Sequence, residues 1–354
     1  TKASIYNTLL GRRDEAAISL AATISNTKIL QDAQVDFSPI KPDRRSVKIM
    51  AILIGLMLPT VVIVLAELFN DKVTSRSDVE RMTQATILGE VGHNHSKETL
   101  LVTSGNRKVI AEQFRILRSN LQYFLTHVDR PVLLVTSSFS GEGKSFISTN
   151  MGAVMALANK RTIILEFDIR KPKILSQLHM GKKPGLTNYL LGKIKAEELP
   201  VPVEGHDNLF VLPCGPVPPN PAELLLDPRL DQLFVYLKQA FEVIIMDTAP
   251  VGMVSDALTL SKYANCTLYI VRQGHTYKKQ IGLVDEYYRE AKLPKISIVL
   301  NDSKLRTGYG NYGYGAYGYG EGYFEEEEKR GLHKWFGWLG IKNGVESKNK
   351  KVKA

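Results

Sequence analysis

One short stretch of the sequence has the residue types needed to bind the phosphates of a nucleotide. It reads Ser138-Phe-Ser-Gly-Glu-Gly-Lys-Ser, follows a short apolar run and precedes a helix-like run. It matches the phosphate-binding pattern G-x-x-x-x-G-K-[ST], with Ser138 in place of the first glycine. Gly141 and Gly143 let backbone N–H groups approach phosphate oxygens at a helix N-terminus. Lys144 would neutralise phosphate charge, and the Ser145 hydroxyl would bind Mg²⁺.

Carboxylates follow two further apolar runs. The segment EFDIR places Glu166, Asp168 and Arg170 at the end of one run, and the segment IIMDTAP places Asp247 at the end of another. Carboxylates at strand ends beside a phosphate loop can bind Mg²⁺ and accept the proton of an attacking hydroxyl. Either acidic segment alone could be a helix cap or a surface feature. Their shared position after strands, together with the loop, predicts a site for phosphoryl transfer.

The apolar runs predict the scaffold that positions these residues. Between Lys108 and Asn301, short β-branched runs alternate with helix-length amphipathic segments. The runs are VLLVTS (132–137), TIILEF (162–167), LFVLP (209–213), VIIMD (243–247), TLYIV (267–271) and ISIVL (296–300). This pattern predicts an α/β domain with a doubly wound, mostly parallel sheet. The ligand of such a sheet is expected beyond the carboxyl ends of the strands.

A different kind of apolar stretch comes earlier in the chain. Ile49 to Ala66 is 18 residues long and uncharged, which is close to the ~20 residues that cross a bilayer. We predict a transmembrane helix, and Pro59 is compatible with a kinked one. A buried core helix is the alternative, but the stretch has no polar face. Basic residues flank both ends, so the positive-inside rule does not give the orientation.

The segments on either side of this stretch carry weaker patterns. Residues 4–35 predict a helix with a drifting apolar stripe, which needs a partner to be stable. Because the sequence does not open with methionine or a signal peptide, we expect a fragment of a longer protein. Ser77 and Glu80 have the spacing of a capping box. The polar stretch after them is expected to be a linker, in which His93 and His95 are too few for a metal site.

Composition narrows the classes of function. The chain is 44% apolar and 23% charged, which excludes a disordered or fibrous protein. Its net charge of +10 suits nucleic acid, anionic lipid or a phosphorylated ligand and does not choose among them. Two cysteines, Cys214 and Cys266, cannot form a disulfide framework, and no Cys/His cluster offers a metal site. This usage fits a reducing compartment.

Glycine and tyrosine dominate the stretch from Gly308 to Tyr323. We expect a flexible tail, because so much glycine buries too little surface to offset its backbone entropy. A Gly/Tyr tract that binds nucleic acid normally carries arginines, and this stretch has none, so no nucleic acid is expected. The alternative is a low-complexity linker in which the tyrosines stack on one another. Beside a nucleotide site, the tyrosines are predicted phosphoacceptors: Tyr309, Tyr312, Tyr314, Tyr317, Tyr319 and Tyr323.

Taken together, these segments resemble the bacterial tyrosine kinases of the polysaccharide co-polymerase family. The phosphate loop, the EFDIR segment and the IIMDTAP segment resemble that family's Walker A, Walker A′ and Walker B motifs. Glu112, Arg115 and Arg118 match its oligomerisation motif E-x-x-R-x-x-R. The resemblance covers nearly the whole chain. ATPases that position cell components are less similar, since their loop carries a signature lysine where this chain has Phe139.

The resemblance implies a P-loop NTPase-like fold and an ATP- and Mg²⁺-dependent tyrosine autokinase that phosphorylates its own tyrosine cluster between subunits of a ring. It implies a role in capsule or exopolysaccharide polymerisation and export. The implied partners are copies of itself, the export machinery, the membrane and a protein-tyrosine phosphatase. Since ATP is cytoplasmic, the kinase domain would face the cytoplasm from the bacterial inner membrane, and the residues before the span would be periplasmic.

The resemblance also implies roles for individual residues. Metal ligands would be Ser145, Asp168 and Asp247, and the catalytic residues would be Lys144, Glu166, Asp168 and Asp247. The implied ATP-binding residues are Ser140, Gly141, Glu142, Gly143, Lys144, Ser145 and Phe146. Glu166 departs from the family pattern D-x-D-x-R, because glutamate lengthens the arm by a methylene, so the identity of the base stays open. A kinase-inactive, ATP-binding structural co-polymerase is therefore the alternative.

Two further expectations complete the prediction. Arg170 either forms a salt bridge that fixes the acid of the motif or contacts phosphate. The aromatic and basic C-terminal end lies at a membrane, on a partner or against the kinase domain. The predicted organisation is a periplasmic helical end (1–46), a transmembrane helix (47–69), a linker (70–107), the kinase domain (108–303), a tyrosine-rich tail (304–330) and an aromatic and basic segment (331–354).

Overall fold

A computed structural model of the chain describes residues 2–22, 41–96, 98–106 and 108–304. The chain divides into two compact units, Thr1–Asn70 and Asp71–Ala354. The predicted phosphoacceptor tyrosines and the aromatic and basic segment lie outside the described residues. So does the part of the predicted first helix that follows Ala22.

The described part of the first unit consists of helices α1 (Lys2–Ala22) and α2 (Arg44–Leu68). Asp43 caps α2, because its side chain accepts a hydrogen bond of 3.1 Å from the backbone N–H of Arg45. Among the described residues, α2 is the one helix long and apolar enough to cross a membrane. It contains the predicted span and continues through Pro59.

The second unit is built on one sheet with helices between its strands. The strands are β1 (Thr86–Gly92), β2 (Val132–Ser137), β3 (Thr162–Phe167), β4 (Val201–Pro202), β5 (Leu209–Leu212), β6 (Val243–Thr248), β7 (Cys266–Arg272) and β8 (Ile296–Ser303). The helices are α3 (Arg76–Glu80), α4 (Val109–Phe124), α5 (Lys144–Ala156), α6 (Ile174–Gln177), α7 (Leu186–Leu190), α8 (Pro221–Leu224), α9 (Arg229–Ala240), α10 (Asp256–Leu260) and α11 (Lys278–Arg289).

Within the described part of the chain, the strands lie in the order β1-β8-β7-β2-β6-β3-β5-β4. All neighbouring pairs are parallel except β4 and β5. The predicted doubly wound, mostly parallel fold is confirmed, and the six predicted runs form β2, β3, β5, β6, β7 and β8. Every residue of β2, β3 and β6 is buried, which explains why these runs are apolar without alternation.

The stretch predicted to be a linker (70–107) contains strand β1, which lies at the edge of the sheet. This strand pairs in parallel with β8. Only Leu88 and Val91 of its larger side chains are buried, so its sequence lacks the continuous apolar run of a central strand. At Gly89 an added Cβ would lie 2.7 Å from Leu117 of α4. Glycine therefore lets α4 pack closely on an edge strand that the sequence pattern does not reveal.

The helix cap after the membrane-length helix lies two residues before the predicted one. Ser75 is the N-cap of α3 and accepts a hydrogen bond from the Asp78 N–H at 3.3 Å, while Asp78 accepts from the Ser75 N–H at 3.0 Å. Ser77 and Glu80 lie inside the helix. Asp78 prevails because its carboxylate also accepts hydrogen bonds from the backbone N–H and hydroxyl of Thr74.

Two apolar clusters cover the faces of the sheet. Alternate residues of β2 divide between them, with Val132 and Leu134 in one and Leu133 and Val135 in the other. Successive side chains of a strand point to opposite faces. The carboxyl edge of the strands is therefore the place where loops can hold polar groups.

Candidate functional site

The loop between β2 and α5 has the backbone shape that a phosphate site requires. Gly141 and Gly143 have φ angles of 91° and 98°, in the left-handed region that favours glycine. An added Cβ at Gly143 would lie 2.1 Å from Nδ2 of Asn301. Helix α5 begins directly after this residue, at Lys144. The predicted arrangement of strand, glycine-rich turn and helix is present.

Residues from the ends of β7 and β8 hold this loop from outside. Arg272 donates a hydrogen bond to the Gly141 carbonyl at 2.7 Å, and Asn301 donates one to the Glu142 carbonyl at 2.9 Å. The Glu142 carboxylate is buried and accepts a hydrogen bond from the Thr276 hydroxyl. Glu142 can therefore contact a nucleotide through its backbone N–H but not through its carboxylate.

Lys144, Ser145 and Asp247 meet at the carboxyl ends of β2 and β6. The Ser145 hydroxyl donates a hydrogen bond of 2.7 Å to Oδ2 of Asp247, and the Ser148 hydroxyl donates one of 3.2 Å to Oδ1. The Lys144 ammonium donates a hydrogen bond of 3.3 Å to the Ser137 hydroxyl. The structure thus brings together three residues that the sequence predicted, and it adds two serines that the sequence did not single out.

Burial sets the protonation of this site. It raises the pKa of Asp247 to about 7, although the Ser145 hydrogen bond and the Lys144 charge act in the opposite direction. Burial also raises the pKa of Asp168 and lowers the pKa of Lys144, where the charges of Asp247 and Asp168 act against it. A bound cation would offset the burial of the two carboxylates, and bound phosphates would offset the burial of the Lys144 ammonium. These residues fit Mg²⁺, which prefers carboxylate and hydroxyl oxygens together with phosphate oxygens.

Asp168 lies next to this group, just after β3. Its Oδ1 accepts a hydrogen bond of 3.1 Å from the backbone N–H of Lys171. Its charge acts on both Lys144 and Asp247, as the shifts in their pKa values show. The predicted set of Lys144, Asp168 and Asp247 therefore lies within one electrostatic site.

Glu166 has a different environment. Its Oε1 accepts a hydrogen bond of 2.6 Å from the backbone N–H of Ile174, and its Oε2 accepts one of 3.2 Å from the backbone N–H of Cys214. The residue is only 2% exposed. Its carboxylate thus joins the segment after β3 to the segment after β5. No sequence signal could indicate these partners, because both are backbone groups.

Arg170 forms an ion pair. Its Nε and Nη2 donate hydrogen bonds of 2.9 Å and 3.3 Å to the carboxylate of Asp256, which is buried at the start of α10. Arg170 therefore forms a salt bridge, but not the predicted one to the acid of the motif. Its partner is Asp256, rather than either acid of the EFDIR segment.

The residues of the predicted oligomerisation motif lie on α4 and bond within the chain. Arg115 donates hydrogen bonds to Glu112 at 2.8 Å and to the Asn106 carbonyl at 2.9 Å. Arg118 donates one of 3.3 Å to the Val154 carbonyl, and its buried Nε has no partner among the described residues.

Two other predicted residues of the loop differ in exposure. Phe146, predicted to bind ATP, packs edge-to-face on Phe114 of α4 with ring centroids 5.8 Å apart. Ser140 lies exposed at the turn of the loop. Phe146 can thus contact a nucleotide through its backbone, since its ring belongs to the core.

Comparisons with known proteins indicate the family of the chain. Residues 1–68 match the family model GNVR, described as "G-rich domain on putative tyrosine kinase". The chain is 27% identical over 340 residues to tyrosine-protein kinase wzc of Salmonella typhi, an alignment that covers 91% of this chain and 46% of that protein. It is 32% identical over 206 residues to tyrosine-protein kinase YwqD of Bacillus subtilis, covering 57% of this chain and 86% of that protein.

The chain is also similar to a solved structure. The crystal structure of the chimerical protein CapA2B2 matches with a TM-score of 0.60 at 30% identity, covering 65% of this chain and 100% of that one. The chain spans about half the length of wzc, because the alignment covers 46% of it.

Proposed function

Because this chain belongs to the bacterial tyrosine kinases, we propose that it is a tyrosine autokinase. It transfers the γ-phosphoryl group of ATP to tyrosine side chains on other copies of the same chain. The observation that carries the proposal is the assembly of Lys144, Ser145, Asp168 and Asp247 around a phosphate loop with two left-handed glycines. A loop of this shape binds phosphate, and the acids beside it supply the metal and proton chemistry.

Each residue then has a defined role. Backbone N–H groups of residues 140–146 bind the phosphates, and Lys144 neutralises their charge. Ser145, Asp168 and Asp247 would hold Mg²⁺, which would supply positive charge against the β- and γ-phosphate oxygens. The existing hydrogen bond between Ser145 and Asp247 supports this role, because it already orients both ligands.

We assign proton acceptance from the tyrosine hydroxyl to Asp168. Both Glu166 oxygens already accept backbone hydrogen bonds, whereas Asp168 accepts one, at Oδ1. Glu166, predicted as catalytic, acts in this proposal as a positioning residue that fixes the segment carrying Asp168.

The acceptors are the tyrosines of the C-terminal cluster, from Tyr309 to Tyr323, and transfer occurs between subunits of a ring that uses Glu112, Arg115 and Arg118. The kinase domain is cytoplasmic, residues before α2 are periplasmic, and α2 crosses the bacterial inner membrane. The ring acts in polymerisation and export of capsular or extracellular polysaccharide, and a protein-tyrosine phosphatase reverses its phosphorylation. The match to GNVR, the membrane-length helix and the similarity to wzc support this setting.

The direct test is phosphotyrosine mapping. The purified chain is incubated with Mg²⁺ and ATP beside a Lys144→Met variant, and phosphopeptides are identified by mass spectrometry. We expect phosphate on the tyrosine cluster only when Lys144 is present. A Lys238→Met variant is the matched control, because Lys238 is an exposed lysine on α9. Absence of phosphotyrosine from a folded chain that still binds ATP would contradict the proposal.

A further inference from the structure

The segment that follows β3 carries charge of only one sign. From Ile169 to Lys195 the sequence has no aspartate or glutamate and seven basic residues: Arg170, Lys171, Lys173, Lys182, Lys183, Lys193 and Lys195. We call the four lysines 171, 173, 182 and 183 the basic surface. All four are exposed, and among the described residues none lies within ion-pair distance of an acidic side chain. Their charge is thus available to a ligand.

The basic surface borders the active site. Lys173 is close enough to lower the pKa of Lys144 and, against the effect of burial, that of Asp168. The segment returns to the sheet at the end of β5, where the Leu186 N–H donates a hydrogen bond of 2.8 Å to the Pro213 carbonyl. Strand β5 is two positions from β6, which carries Asp247. Neighbouring strands are about 4.8 Å apart, so the surface begins at the site and extends about 10 Å from it.

The acceptor tail carries the opposite charge. Between Thr307 and Glu328 the sequence has five glutamates and no lysine or arginine. Four of them form the run Glu325–Glu328, two residues after Tyr323. An extended chain spans about 3.4 Å per residue, which places this run about 7 to 17 Å from Tyr323. With Tyr323 at Asp168, the acidic run would therefore be within reach of the basic surface.

We infer that the basic surface binds the Glu325–Glu328 run of a second copy of this chain and thereby presents Tyr323 to the active site before the other tyrosines. This inference rests on the proposed function and names the part of the substrate that the site recognises. A second copy is the chosen occupant because the proposed transfer occurs between subunits, and a chain's own tail on the surface is the alternative that the experiment tests. Ion pairs of this kind are solvent-exposed, so their effect must weaken with salt.

The experiment separates enzyme from substrate in full-length chains. The enzyme has its six cluster tyrosines replaced by phenylalanine, and the substrate carries Lys144→Met. Phosphotyrosine on the substrate is measured at increasing substrate concentration. For an enzyme with Lys182→Glu and Lys183→Glu, we expect the KM for the substrate chain to rise about tenfold, with kcat and the KM for ATP unchanged.

Two controls make the test specific. Lys238→Glu with Lys295→Glu reverses two exposed lysines that precede β6 and β8, at the opposite edge of the sheet, and is expected to leave KM unchanged. A substrate with residues 325–328 changed to lysine is expected to be poor for the unmodified enzyme. It should recover with the Lys182→Glu, Lys183→Glu enzyme, a restoration that loss of folding cannot produce.

The outcomes distinguish the inference from the function on which it rests. Phosphotyrosine absent from the unmodified chain, incubated alone with Mg²⁺ and ATP, would overturn the tyrosine kinase function itself. Phosphotyrosine present, with a KM that charge reversal leaves unchanged, would overturn only the docking. If charge reversal instead abolished flotation with phosphatidylglycerol vesicles and left KM unchanged, the surface would bind membrane. Phosphorylation confined to each chain's own tail, or equal early phosphorylation of Tyr309 and Tyr323, would also overturn the inference.

Discussion

Asp247 and Glu166 stand opposite each other in the register of β6 and β3, yet their surroundings differ. Both are almost completely buried, at 1% and 2% exposure. Asp247 accepts hydrogen bonds from two serine hydroxyls, whereas Glu166 accepts them from two backbone N–H groups. A hydroxyl can rotate and become an acceptor or a metal ligand, but a backbone N–H can only donate. Asp247 can therefore exchange its hydroxyl partners for a cation, whereas the Glu166 carboxylate stays bonded to two backbone N–H groups.

This difference gives two kinds of buried carboxylate at one edge of a sheet. Asp247 is held with an incompletely compensated charge, which is why burial raises its pKa to about 7. Such a group is unfavourable for stability and suited to binding Mg²⁺. Glu166 links the ends of β3 and β5 and so fixes the position of Asp168, two residues further on. Substitution should therefore reduce mainly activity at Asp247 and mainly stability at Glu166.

The largest effect is expected for Asp247→Asn. Loss of a metal ligand removes several kcal/mol of transition-state stabilisation, so phosphotyrosine formation should fall at least about 100-fold. The initial rate with Mg²⁺ and ATP measures this. The control is Asp231→Asn, which removes an exposed carboxylate on α9 and should leave the rate unchanged. A rate within tenfold of that of the unmodified chain would contradict the assignment of Asp247 as a metal ligand.

In the absence of Mg²⁺ and nucleotide, Asp247→Asn should be more stable than the unmodified chain. Because the folded-state pKa of Asp247 is raised to about 7, its contribution to stability is present at low pH and is lost as pH rises from about 4 to about 7. Asparagine does not titrate. The melting temperature of Asp247→Asn should therefore exceed that of the unmodified chain at pH 8 and equal it near pH 4. An equal or lower melting temperature at pH 8 would show that burial does not strain this carboxylate.

Glu166→Gln should lower stability and leave most of the kinase activity. A glutamine amide can satisfy one of the two backbone N–H groups and faces the other with its own donor, which costs about 1–3 kcal/mol of stability. The melting temperature should fall by several degrees. Kinase activity, measured below that temperature, should fall less than tenfold, because Asp168 remains. A loss of activity greater than 100-fold with an unchanged melting temperature would instead identify Glu166 as the base.

These contrasts also show how far sequence reasoning extends. Strands β2, β3 and β6 were predictable because burial on both faces requires an uninterrupted apolar run. Strand β1 was not, since an edge strand is buried on one face and Gly89 replaces a core residue. Lys144, Ser145 and Asp247 were predictable because their chemistry requires fixed residue types at fixed spacing.

The residues that hold the loop from outside lacked such a signal. Arg272, Thr276 and Asn301 meet the phosphate loop across more than 130 positions of sequence. Their roles depend on which strands become neighbours, and hydrogen bonds to a carbonyl can be made by many residue types. The position of each residue at or just after the end of a strand was the one available hint.

A smaller effect is expected for Ser148→Ala. It removes one of the two hydroxyls that donate to Asp247 and leaves Ser145 in place. A single hydrogen bond to a charged group contributes about 1.5–3 kcal/mol. The Mg²⁺ concentration for half-maximal activity should therefore change by about tenfold or more while activity at saturating Mg²⁺ is retained. The control Ser176→Ala removes a hydroxyl that donates to the Lys173 carbonyl on α6. An equal change in both variants would mean that the effect is not specific to Asp247.

The smallest effect uses Cys214 as a probe of the Glu166 charge. Burial, together with the charges of Glu166 and Asp168, raises the pKa of the Cys214 thiol to about 12. Cys266 is also buried, with its pKa raised to about 12, but neither acid contributes there. Because the thiolate is the reactive form, Glu166→Gln should accelerate alkylation of Cys214 by iodoacetamide relative to Cys266 in the same chain. Equal acceleration of both thiols would show loosening of the fold, whereas unchanged rates for both would mean that the Glu166 side chain does not influence Cys214.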